Sequence, residues 1–202
     1  MNFLAHLWLA DRTGTSPAGA ILGDWVRGRV PPKYPEELRV GIALHRRVDT
    51  LTDAHPVIAI ARSRFPAGPR RYAGIVLDLI TDHLLARRWS EFSTEPLEIF
   101  THRGARDVED HSRWFADAGG FAPSAAEFER LLLSYASADG IDHAIRRTSR
   151  RLRKPEGLLA AAQDWQPHAA ALDAKLADLL NDVSAAANLF TAELRAAATQ
   201  HN

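Results

Sequence analysis

The chain has 202 residues, a formal net charge of zero and no cysteine. Its length suits one domain, or at most two small ones, with a sizeable core, and ordinary apolar and charged fractions exclude a disordered or fibrous chain. Neutrality excludes a global field that would draw the protein to polyanions, and without thiols any metal must be held by His, Asp, Glu, Asn or water.

The opening run, MNFLAHLWLA, is apolar. It lacks a basic leader, carries His6 inside it and meets Asp11 and Arg12 too early for an export signal or a membrane span. It reads as a short buried helix or an extended arm over 1–11, and the chain as a cytoplasmic protein with no membrane partner. Ser16 and Pro17 have the form of an N-cap and first helical residue, opening a helix that runs to Gly28. The segment VPPKY, 30–34, breaks the chain. Pro35 opens a third helix with Glu36 and Glu37 in its first turn, where carboxylates suit the macrodipole. It reaches about Thr50 and buries Leu38, Ile42, Leu44 and Val48.

After His55-Pro56, VIAIARSRF predicts a short helix, and PAGP at 66–69 separates it from the long apolar run RRYAGIVLDLITDHLLARRW. A further helix is expected over 96–115. The loop FADAGGFAPS follows, then a helix AAEFERLLLSYA capped by Ser124. A basic helix covers about 138–153, and a final helix after Pro167 carries Leu172, Leu176, Leu179, Val183, Phe190 and Leu194 at helical spacing. No strand-type alternation, internal repeat or low-complexity linker competes. The expectation is a single all-α domain over 1–202, built from roughly seven to nine helices.

Four places carry side chains suited to chemistry. Asp24, between Leu22 and Trp25, falls where periodicity allows burial, and a buried carboxylate must be paired, hydrogen-bonded or metal-bound; an ion pair with Arg27 or Arg47 is the plain alternative. His45 and Asp49 lie four apart, so they share a helix face and can ligate one cation or orient one another; a salt-bridged surface strip with Arg46 and Arg47 competes equally. Asp78 and Asp82 repeat the spacing inside a run so apolar that both should face inward, with His83 adjacent. Two such carboxylates repel unless a cation lies between them. Asn2 and His6 form a fourth i, i+4 pair.

Oxygen and nitrogen donors of this kind suit Mn²⁺, Mg²⁺ or Fe²⁺ more than a structural zinc. A divalent ion in a helical cleft activates water and offsets phosphoryl charge, so phosphate ester hydrolysis is the implied reaction class. Arg46 and Arg47, beside His45, could contact the phosphate or merely solubilise the surface. Farther on, RRTSRRLRK concentrates Arg146, Arg147, Arg150 and Arg151 in a neutral chain. That is either a solvated face or a docking surface for an acidic partner. No stacking run or recognition motif supports nucleic acid as the partner.

Read together and in order, MNFLAHLWLA, GAILGDWVRG (19–28), LHRRVDTLTD (44–53) and LDLITDHLLARRW (77–89) resemble the acyl carrier protein phosphodiesterase, or acyl carrier protein hydrolase, family. The resemblance is dense over about the first 90 residues and rests beyond them on length and helical character. It implies a compact HD-like helical fold, diverged from the HD-type metal phosphohydrolases. It also implies Mn²⁺-dependent cleavage of the phosphodiester between 4′-phosphopantetheine and a serine of holo acyl carrier protein, a step of fatty acid metabolism. Carried onto this sequence, it implies metal ligands Asp24, His45, Asp78 and Asp82, and catalytic groups Asp24, His45, Asp82 and His83. Asn2, His6, Arg46, Arg47 and Asp49 would lie near the site, with the arginine strip receiving the acidic carrier. The adjacent pair Asp82-His83 reverses the His-Asp order of the HD signature. A phosphohydrolase of nucleotides or other small phosphate esters, and a non-catalytic helical module that binds an acidic partner, are the competing readings.

Overall fold

A computed structural model describes residues 1–199, and every regular element among them is helical. The first helix, α1 (Phe3–Thr13), is buried from Phe3 to Ala10 and stops at Gly14, whose φ of 60° places it in the left-handed region that glycine adopts without a Cβ penalty. The second, α2 (Pro17–Leu22), is short; the Ser16 hydroxyl accepts the Gly19 N–H at 3.0 Å, the expected N-cap bond.

The third, α3 (Glu36–Ala54), crosses α2 backbone to backbone. A Cβ built on Gly41 would lie 2.8 Å from the Gly19 Cα, and one on Gly19 would lie 2.9 Å from the Gly41 Cα. Only two glycines permit that approach, and it fixes the height of α3 against α2.

Beyond it come α4 (Pro56–Ser63), a 3₁₀ turn (Pro69–Tyr72), α5 (Ala73–Arg87), α6 (Trp89–Phe92), α7 (Leu97–Asp110) and α8 (Ser112–Asp117). They are followed by α9 (Ala125–Ser134), α10 (Ala138–Ser149), α11 (Pro155–Ala162), α12 (Trp165–Asp173) and α13 (Leu176–Thr199). Two helices are interior. The first, α1, packs against α2, α3, α5 and α13, whereas α5 packs against α1, α4, α10, α11, α12 and α13. Their apolar composition follows from that placement, because neither has a solvent stripe to fill with polar residues. One hydrophobic core joins them, from Met1 to Ala187.

The helices outnumber the expected seven to nine. The element expected over 17–28 ends at Leu22, and the chain turns at Gly23–Val26 with Trp25 and Val26 both donating to the Leu22 carbonyl. The stretch 96–115 divides at His111 into α7 and α8. The basic helix ends at Ser149 rather than near 153. A helix, α11, fills 155–162, where none was expected. The final stretch divides at Ala174–Lys175 into α12 and α13. Among the described residues, no helix is long and apolar enough to cross a membrane.

Candidate metal centre

The buried faces of α1 and α3 meet through two histidines. His6 and His45 stack with ring centroids 4.0 Å apart and planes 17° from parallel. Both are buried, and both turn Nε2 toward Asp49: His6 Nε2 lies 3.1 Å from Oδ1, and His45 Nε2 lies 3.1 Å from Oδ2. Asp24, in the turn after α2, brings Oδ1 to 3.5 Å from the same His45 nitrogen. The i, i+4 relation of His45 and Asp49 thus gives one wall of the site, and α1 supplies the other.

The orientation of His45 is fixed from behind. Its Nδ1 donates to the Ala20 carbonyl at 2.6 Å, so Nε2 points into the cluster. Gly23 makes room for the ring, since a Cβ there would overlap the His45 imidazole.

The electrostatics follow from the same contacts. Burial works to lower the His45 pKa, but hydrogen bonds and charge from Asp24 and Asp49 outweigh it and raise the value to about 9. Burial dominates at His6 and, with the adjacent His45, takes it down to about 4. Asp49 would be pushed up by burial, yet its bonds to both imidazoles hold it well below the usual carboxylate range. A further cation is present: the Met1 α-ammonium sits 2.9 Å from Asp78 Oδ1 and 3.7 Å from Asp49 Oδ1. Burial raises the Asp78 carboxyl pKa, and the facing ammonium works against it.

This donor set fits a divalent cation. The ligand atoms of His6, His45 and Asp49 lie within 4.8 Å of one another, and each imidazole Nε2 is 3.1 Å from an Asp49 oxygen, a separation that two metal–ligand bonds of about 2.0–2.2 Å can span. Two imidazole nitrogens with a carboxylate suit first-row metals, and the Ala20 bond is the kind of outer contact that orients a ligating histidine. The Met1 ammonium supplies positive charge beside these carboxylates.

The structure therefore assembles Asp24, His45 and Asp49, adds His6, and places Asp78 across the Met1 amine. Asp24, expected to be buried, instead lies exposed at the rim because α2 has already ended. Asp82 and His83 are placed elsewhere. Asp82 is fully buried, with Oδ2 accepting Leu4 N–H at 2.7 Å and Oδ1 accepting Ala5 N–H at 3.1 Å. It caps the start of α1 from α5, and there Asn2, the N-cap residue, makes no side-chain cap bond. Burial raises its carboxyl pKa to about 7 against the pull of those two N–H groups.

His83 sits one residue on, 100° around the helix, and so leaves the cluster. Its Nδ1 donates to the Tyr135 carbonyl at 2.6 Å and its ring meets Trp165 edge-on at 5.1 Å.

Arg46 and Arg47 both turn toward the protein itself. Arg46 donates to the Val26 and Gly28 carbonyls, each at 2.7 Å, and so pins the turn that carries Asp24. Arg47 lies over the Phe190 ring at 5.9 Å, toward α13. Asn2 donates to the Tyr135 hydroxyl at 2.8 Å. The arginine strip is divided: Arg146 and Arg150 are exposed, while Arg147 is half-buried and, with Arg151, lines two cavities. Sequence reasoning missed the Met1 ammonium altogether; it paired His6 with Asn2 near the site, and the structure turns His6 to Asp49 and Asn2 to Tyr135.

Comparison with known proteins adds an independent line. The family model described as acyl carrier protein phosphodiesterase matches residues 1–183. A protein of that name from Photorhabdus laumondii is 35% identical over 175 residues, covering 86% of this chain and 88% of the relative. Relatives of the same name from Escherichia coli O157:H7 and Shigella boydii serotype 18 are each 34% identical over 180 residues, covering 87% of this chain and 91% of theirs. No solved structure matches the chain.

Proposed function

The chain belongs to the acyl carrier protein phosphodiesterase family, and on that premise we propose that it hydrolyses the phosphodiester of holo acyl carrier protein, releasing 4′-phosphopantetheine and the apo carrier. The observation that carries the reading is the convergence of His6, His45 and Asp49 with Asp24 at their edge. The substrate is a protein-borne phosphodiester, and Asp24 stands at the exposed rim where such a group arrives.

In this reading His6, His45 and Asp49 hold one divalent cation, Mn²⁺, in an HD-like cytoplasmic enzyme. When bound, such an ion would lower the pKa of a water and offset charge on the phosphoryl oxygens. Asp24 would accept the proton of the attacking water and return it to the serine oxygen as its bond to phosphorus breaks; its carboxylate is exposed and adjacent to the cluster, so it can reach solvent-borne substrate. The Ala20 carbonyl holds His45 in one tautomer throughout. Arg46 fixes the backbone on which Asp24 rides. Asp78 and the Met1 ammonium balance charge behind Asp49. Asp82 and His83 keep α1 and the 135 region in place and take no part in the chemistry.

The test is incubation with holo acyl carrier protein and Mn²⁺, followed by intact mass. Loss of the phosphopantetheine mass is expected, and Asp24→Ala should abolish that loss while its helical circular dichroism is unchanged. Full activity in Asp24→Ala would overturn the assignment of Asp24. An unchanged carrier mass, with turnover of a nucleotide, would replace the substrate.

A further inference from the structure

Two cavities, one of them reaching Asp24, share one wall. One, of about 820 Å³, reaches from Asn2 and Asp24 to Arg147 and Arg151. The other, of about 710 Å³, continues past the same two arginines between Trp25, Phe121, Phe128 and Leu131. Phe3, Trp25, Phe121, Arg147 and Arg151 line both, so the two form one groove. It has the Asp24 carboxylate at one end, guanidiniums at its middle, and at the other end aromatic walls with Glu127 and Arg130 among them.

Arg147 is built for an anion. Its guanidinium lies near the Tyr135 hydroxyl, which accepts Asn2 Nδ2 at 2.8 Å, and over the Phe3 ring at 6.0 Å. Neither Arg147 nor Arg151 pairs with a carboxylate among the described residues. Arg147 Nε is buried without a hydrogen-bond partner. A half-buried guanidinium with no counter-ion, facing a second guanidinium across a cavity, is held against desolvation and repulsion unless an anion completes it. Phosphoryl oxygens match that geometry.

We infer that Arg147 and Arg151 bind the phosphoryl group of the substrate and that the aromatic end of the groove receives the pantetheine arm. The inference rests on the phosphodiesterase reading and deepens it: the phosphate-binding arginines come from α10 and its end, not from Arg46 and Arg47. The arm alternates amides with apolar methyl and methylene groups, which suits a mostly apolar cavity with a few polar groups at its edge. It also divides the arginine strip by role, with the exposed Arg146 and Arg150, which line neither cavity, left as outward charge for an acidic carrier.

The experiment is titration calorimetry of the full chain, in chelator and without metal, with 4′-phosphopantetheine, pantetheine and inorganic phosphate as separate probes. Phosphopantetheine should bind wild type, and Arg147→Gln and Arg151→Gln should each weaken it roughly ten- to a hundredfold, as expected for a lost hydrogen bond between charged groups. Pantetheine should bind weakly and equally to wild type and both variants. Arg147→Lys should recover part of the affinity, which a loss of packing would not show. Phe121→Ala, at an 88% exposed position, should weaken pantetheine and phosphopantetheine alike. Steady-state assays of the Mn²⁺-loaded enzyme on holo carrier should show KM raised more than kcat is lowered in Arg151→Gln, with Arg146→Gln leaving phosphopantetheine affinity unchanged.

Unchanged affinity in Arg151→Gln, or in a folded Arg147→Gln, would overturn the inference. If wild type cleaves holo carrier while both variants behave as wild type, the phosphodiesterase reading survives and the arginine site does not. If wild type binds phosphopantetheine through these arginines but leaves holo carrier intact, the site survives and the reaction does not.

Discussion

Replacing Asp82 by alanine removes a carboxylate that accepts two backbone N–H groups at the start of α1, Leu4 at 2.7 Å and Ala5 at 3.1 Å. Both donors lie in the core, far from replacement by water, and each costs about 1–3 kcal/mol when left unpaired. Against this stands the burden of a fully buried carboxyl, whose pKa burial has raised to about 7. The net loss should be about 2–4 kcal/mol. For a chain of this size that corresponds to a melting temperature lowered by roughly 5–15 °C. Thermal melts followed by circular dichroism in chelator measure it, and Mn²⁺ titration of the folded variant measures the other side of the question. Below its melting point the variant should bind metal as wild type does. An unchanged melting temperature with lost metal binding would refute the cap and restore Asp82 as a ligand.

The same carboxyl gives a pH signature. Its folded pKa, about 7, lies above its ordinary value of 3.8, so the folded protein holds this proton more tightly than the unfolded chain. Its titration therefore stabilises fully below the ordinary value, and that contribution is lost as pH rises through about 7. Asp82→Asn, which cannot ionise, should flatten the fall in melting temperature across that window.

Gly23→Ala forces a methyl into the His45 ring. The imidazole must leave its bond to Ala20, and displacement of about 1 Å in a catalytic group costs on the order of a hundredfold. Mn²⁺ affinity and kcat on holo carrier should both fall while the helical spectrum is kept; unchanged values would show that His45 is not positioned by this contact. Gly41→Ala places a Cβ 2.8–2.9 Å from Gly19 and Ser16 backbone atoms and should cost about 1–3 kcal/mol by overpacking. A melting temperature equal to wild type would show that the crossing of α2 and α3 has slack.

The fold class was legible because α1 and α5 are apolar and because Ser16, Pro17, Pro35 and Ser124 punctuate the chain. The breaks at His111 and at Ala174–Lys175 carry no glycine or proline, so tertiary packing alone decides them. His45 and Asp49 were readable from i, i+4 spacing. Asp82 was open to misreading, because a carboxylate in an apolar helix has two physical excuses, a cation or a pair of orphan N–H groups. Only the tertiary approach of α1 and α5 distinguishes them. The directions of Arg46 and Arg147 could not be read from sequence for a related reason. Both are long side chains whose first heavy atoms are fixed by helix register but whose guanidiniums are placed by partners distant in sequence, Val26 and Gly28 for one, Tyr135 for the other.

Gly120 lies with its backbone against the Trp25 indole, so that a Cβ there would enter the ring. Its neighbours are Gly119, at φ 79°, and the exposed Phe121. Trp25 in turn follows Asp24 directly. The surface aromatic and the glycine pair are consequently joined to the indole and the rim carboxylate through one contact. A side chain at Gly120 would have to displace the indole that directly follows the acid, so the space at this glycine and the placing of Trp25 are set together.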